Sequence, residues 1–184
     1  MNLSFRTVAV STLLALSLLA GAAPAPDAAP RTPQKGAPVI LAGAELTRVV
    51  PPGFYFEGQS APTQMRNAAA VRFGTKHVIA GLVDTSGYSS DIRAKYEGFL
   101  ITDKPIHVGT GALAAGAYGF GFTETGRFNV FDVGGAPVLS VDAANDTAAP
   151  RPRPLMMSLE RDGVRLYGGR RYVVITKREE AADL

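Results

Sequence analysis

The sequence contains no cysteine, no tryptophan and only two histidines. Without cysteine the chain has no disulfide to staple it, no zinc–thiolate site and no thiol nucleophile, so its stability must rest on a packed core. Two isolated histidines, with no HxH or HExxH spacing, supply no ligand set for a metal, and the expectation is neither metal nor cofactor. DAANDT, with Asp142, Asn145 and Asp146, lacks the alternating acids of a calcium loop. The missing tryptophan removes the broadest stacking surface for a sugar ring and leaves only tyrosine platforms such as Tyr55 or Tyr167. Beyond the N-terminal segment there is no apolar run long enough to span a bilayer as a helix.

What is present begins with MNLSFRTVAVSTLLALSLLAGAA, in which Arg6 precedes an apolar run over 8–20 and the small residues Ala20 and Ala22 mark a cleavage site. This pattern predicts a signal peptide over residues 1–22 and an exported product, periplasmic or extracellular. The proline- and alanine-rich stretch 23–38 reads as an extended leader, 39–178 as one domain and the acidic residues 179–184 as a tail. The formal charge is +3, and the basic excess is confined to the C-terminal part: residues 151–178 carry eight Lys and Arg against two Asp and Glu.

Period-two alternation bounded by Gly, Pro, Asn and Asp recurs along the domain and predicts eleven strands: 54–57, 70–73, 77–83, 98–102, 106–108, 117–123, 127–133, 138–142, 155–159, 164–167 and 172–176. The fold class expected is all-β, mainly antiparallel, a β-sandwich or barrel-like single domain. YGFGFTETGRFNVFDVGGAPVLSVD reads as three strands of a meander joined by turn residues. One short helix is expected near residues 89–97, with Ser89 or Ser90 as N-cap and Gly98 as its stop, and a single helical turn near 44–49.

HVGTGALAAGAYGF contains GxGxxA at Gly109, Gly111 and Ala114. A dinucleotide fingerprint needs a helix of several turns after the glycines, whereas here Gly116 and the strand-like YGFGF follow at once. Gly109 and Gly111 therefore read as hairpin residues at positive φ, and no nucleotide is expected. GALAAGAYGFGF, residues 111–122, resembles the LPAGxYxxxF hairpin of several uncharacterised families of exported bacterial β-sandwich proteins. Leu113, Ala115, Gly116 and Tyr118 match, while Ala114 replaces the usual proline. The resemblance implies architecture only.

Catalytic patterns each lack a part. GLVDTSG resembles the aspartic-protease turn at Asp84 and Thr85, but Ser86 stands where that family has glycine, and the chain has no second copy of the motif. Ser60, Ser86, Ser89 or Ser90 could join His77 or His107 and Asp84 in a triad, yet no GxSxG elbow marks a nucleophile. Two recognition features remain. FYFEGQSAPTQMRN reads as a polar loop that gathers Gln59, Gln64, Arg66 and Asn67 beside aromatics. RPRPLMM and VRLYGGRRYVVITKR place Arg165, Tyr167 and Arg171 on strands as a cationic surface. The expected function is an exported noncatalytic binding or envelope-associated structural protein whose partner is an anionic envelope component or a polysaccharide, not nucleic acid. The alternative is a secreted hydrolase using Asp84 with His77 or His107.

Overall fold

The computed structural model describes residues 37–149 and 151–178, so the expected signal peptide, nearly all of the leader and the acidic tail lie outside the described residues. In chain order the elements are β1 (Pro38–Ile40), α1 (Gly43–Val49), β2 (Gly53–Phe56), β3 (Gln59–Phe73), β4 (Lys76–Val83), α2 (Ser90–Lys95), β5 (Gly98–Thr102), β6 (Ile106–Val108) and β7 (Gly111–Leu113). They continue with β8 (Gly116–Phe122), β9 (Arg127–Phe131), β10 (Pro137–Asp142), β11 (Ala144–Asn145), β12 (Arg153–Glu160), β13 (Gly163–Gly169) and β14 (Arg171–Lys177). The first strand starts at Pro38, inside the stretch 23–38 expected as leader.

The strands form two antiparallel sheets. Eight strands run in the order β1-β3-β4-β5-β8-β9-β10, with β2 paired to β3; six run β12-β13-β14-β6-β7, with β11 paired to β14. The expected all-β, sandwich-like fold is present, including the β8–β9–β10 meander. Alternation explains how the sheets stack: Val71, Val78, Leu100 and Phe120 of the first meet Ile106, Val164, Leu166 and Ile175 of the second in one apolar core. At one lateral edge β12 lies against β1 and β3, and at the other β10 lies against β7.

The opposite face of the eight-stranded sheet is also covered. Phe54, Phe56, Ile79, Val83, Tyr88, Tyr96 and Phe99 form a second core beneath the β2–β3 hairpin and the two helices. A strand buried on both faces cannot alternate, which is why β4 reads KHVIAGLV with Val78 and Ala80 toward one core and Ile79 and Val83 toward the other. Tyr96 is fully buried in this layer, stacked on Phe56 at 4.1 Å, and its hydroxyl has no hydrogen-bond partner. Burial pushes that phenol well above its ordinary pKa. Tyr96→Phe is expected to raise stability by about 1 kcal/mol, since it removes an unsatisfied buried hydroxyl, and to raise Tm by about 3 °C in a thermal melt followed by circular dichroism.

Three local expectations are corrected. FYFEGQSAPTQMRN is not a loop: Phe56 pairs with Gln59 across a two-residue turn, Glu57 and Gly58 at φ 45° and 80°, and the polar residues continue as β3. Two successive positive φ values are what a type I′ hairpin turn requires. In the 107–120 stretch Gly109 alone takes positive φ, 55°, at the β6–β7 turn; Gly111 is an ordinary strand residue whose missing Cβ makes room for Leu139. The LAAG segment is not a hairpin either. It carries the chain from β7 in one sheet to β8 in the other, and the Tyr118 hydroxyl pins this corner by donating to the Ala114 carbonyl at 3.2 Å. The helix near 89–97 exists as α2, capped by Ser89, whose side chain accepts from Ile92 N–H. It ends at extended Tyr96, before Gly98, which is already in β5.

Candidate functional site

The two polar features singled out from the sequence meet in space, where β3 and β12 run side by side. Both strands are irregular there. On β3, Thr63 pairs with Val83 and Ala68 with Gly81, so Gln64, Met65, Arg66 and Asn67 bulge out opposite Leu82 alone. On β12 the register slips between Arg153 and Met156. Bulges break ladder bonds and re-aim side chains, and two of them at one seam open it on both sides.

On one side lies a cleft of about 400 Å³ at the end of the sandwich. Gln64 from the β3 bulge, Thr85 after β4, Arg93 from α2, Glu97 just before β5 and Arg171 at the start of β14 line it, with Pro154 and the Gly168–Gly169 backbone on the β12–β13 side. Arg171 shares the strand parity of Val173 and Ile175, so it points between the sheets, where its guanidinium donates to the Thr123 carbonyl. Gln64 is held by donating to the Val83 carbonyl at 3.0 Å and accepts from the Asn67 amide at 2.8 Å. Glu97 Oε2 accepts from Phe122 N–H at 3.3 Å. Partial desolvation pushes its carboxyl above the ordinary glutamate value, against the pull of that N–H and of Arg171. A second cavity of about 600 Å³ shares Gly168, Gly169 and Arg171 with the cleft and adds Glu124, Asn145 and Arg170. The two cavities thus lie next to each other at the tip of the β13–β14 hairpin.

The seven binding candidates are divided rather than gathered. Gln64 and Arg171 share the cleft, Asn67 supports Gln64, and Arg66 lines the other side of the seam. Gln59 sits at the β2–β3 turn, where its carbonyl accepts from the Tyr88 hydroxyl. Arg165 and Tyr167 lie on the outer face of the six-stranded sheet, away from Arg171. Arg165 stacks on the Tyr172 ring at 4.5 Å and donates to Asp162, while Tyr167 donates to Asp146. The C-terminal arginines therefore do not form one cationic face.

The hydrolase residues are further apart. His77 and Asp84 bracket β4, about 23 Å apart at the rise of an extended strand. His77 donates its backbone N–H to Asp103, and its Nδ1 lies 3.1 Å from the same carboxylate oxygen. Asp84 is exposed and caps its own turn by accepting from Ser86 N–H, which holds its carboxyl below the ordinary aspartate value. His107 alternates with core-facing Ile106 and Val108 and so lies on the outer face of the other sheet.

Arg93 and Glu97 were missed by sequence reasoning. The available signal was a charged residue, Glu97, set directly before the apolar run GFLIT, where a strand buried on both faces begins. No protein-family model, curated protein or solved structure matches this chain.

Proposed function

We propose that the protein is an exported noncatalytic binding protein of the cell envelope that holds an anionic polysaccharide or a similar anionic envelope component in the cleft. The observation that carries this reading is the convergence of Arg93, Arg171 and Gln64 on one cleft of about 400 Å³ with one carboxylate, Glu97. Guanidinium groups match carboxylate and phosphate geometry, and the Gln64 amide suits a hydroxyl or carbonyl. The separation of His77, His107 and Asp84 supports binding rather than turnover.

Titration calorimetry with oligogalacturonate tests it. Arg93→Gln and Arg171→Gln are each expected to weaken binding about tenfold, and rising salt weakens it further through screening. Lowering the pH toward the raised Glu97 value removes a negative charge from the cleft, so anion binding tightens, and Glu97→Gln abolishes that dependence. Undiminished binding in both arginine variants refutes the assignment.

A further inference from the structure

The two cavities at the tip of the β13–β14 hairpin carry the same set of groups. Among the described residues, the charged ones lining the cleft are Arg93, Arg171 and Glu97, and its amide side chain is Gln64. Those lining the second cavity, of about 600 Å³, are Arg170, Arg171 and Glu124, and its amide side chain is Asn145. Each therefore offers two guanidiniums, one carboxylate and one amide, with Arg171 common to both. The likeness is produced by packing, not by a repeat in the sequence: the cleft takes its groups from the β3 bulge, α2 and the approach to β5, the second cavity from the β8–β9 turn, β11 and the hairpin tip.

Donors remain available on both sides. The Arg93 guanidinium and the Asn145 amide have no ion-pair or hydrogen-bond partner among the described residues. Arg170 is fixed through Nη1, which donates to the Thr147 and Ala149 carbonyls at 3.3 and 2.7 Å, and it keeps Nε and Nη2 for a ligand. The residues shared by the two cavities besides Arg171 are Gly168 and Gly169, so bare backbone stands between them. A Cβ at Gly168 would lie 2.4 Å from the Phe122 ring, whereas one at Gly169, where φ is 65°, would meet nothing within 4 Å.

A repeated set of donors is complementary to a ligand that repeats its own groups. We infer that the anionic polysaccharide held in the cleft continues over Gly169 into the second cavity, so that two consecutive acidic sugars are bound, one by Arg93 and the next by Arg170 and Asn145, with Arg171 between them. This second subsite rests on the reading of the cleft as an anion site and deepens it to a ligand bound as a chain. Glu97 and Glu124 accept hydrogen bonds from sugar hydroxyls, which favours a saccharide over polyphosphate, a polyanion without hydroxyl groups.

Titration calorimetry of the full-length protein with galacturonate and tetragalacturonate tests it. One tetramer is expected to bind per protein, at least about tenfold more tightly than the monomer, because the second contact is intramolecular. Asn145→Asp puts a carboxylate into the second cavity without a change of size, and Gly169→Asn, tolerated at positive φ, puts a side chain into the junction. Each variant is expected to lower tetramer affinity about tenfold while the monomer still binds in the cleft, and circular dichroism melts verify both folds. Equal affinity for monomer and tetramer, two tetramers bound per protein, unchanged tetramer affinity in both variants, or tighter binding of polyphosphate overturns the second subsite. The cleft reading survives those outcomes if Arg93→Gln still weakens binding, whereas a wild-type protein that binds neither saccharide overturns both.

Discussion

Phe56→Ala is expected to destabilise the protein by about 4 kcal/mol, the range for deleting a fully enclosed phenylalanine. Phe56 is completely buried, stacked on Tyr96 and edge-on to Phe131 at 6.3 Å, and its ring fills the space where a Cβ on Gly119 would otherwise stand. It joins the β2–β3 hairpin, the end of α2 and the outer face of the eight-stranded sheet. The cavity left by alanine cannot collapse, because β8 beneath it is fixed on both sides by β5 and β9. Urea denaturation measures the loss. A change under about 1.5 kcal/mol would show that the covering layer is not cooperative with the sandwich.

Gly98→Ala is expected to cost about 3 kcal/mol, at the upper end for added volume in a packed interior. A Cβ at Gly98 would stand 2.2 Å from the Gly81 carbonyl oxygen, and backbone cannot rotate away as a side chain can. The strands β4 and β5 must part, which strains the adjoining bond from Val83 N–H to the Glu97 carbonyl. The substitution therefore also disturbs the cleft. Gly87→Ala is the control: its Cβ would meet nothing within 4 Å, and its φ is not positive. It should be neutral or raise stability by about 0.5 kcal/mol. Equal effects at both positions, followed by chemical denaturation, would refute the steric argument.

Strands that alternate and end in turn residues were readable because their own side chains carry the signal. Thus all eleven expected strands occur, from FYF in β2 to YVVIT in β14. β1, β7 and β11 were not readable: GAL and AN lack the β-branched residues that mark the equally short IHV of β6, and PVI runs on directly from the proline-rich leader. The first half of β3 reads as a loop because QSAPTQMRN is polar and contains Pro62. Its extended form is imposed by β2 across the Glu57–Gly58 turn rather than by burial. The cleft was half legible: Gln64 and Arg171 stood out as polar residues beside strands, but their meeting with Arg93 and Glu97 depends on tertiary placement that no local window contains.

The position of β14 has a consequence in time rather than space. β6 and β7 lie in the middle of the sequence, yet their sheet is completed only when β14 inserts between β13 and β6, pairing Ile175 with Val108. A chain emerging from its N-terminus can assemble the eight-stranded sheet through β10 while β6 and β7 have only each other as hydrogen-bonded strands. Pairing over such a sequence distance requires loop closure before any contact rewards it, and it slows folding. Closure of the core between the sheets is therefore expected to await β14, the strand that joins β13 to β6.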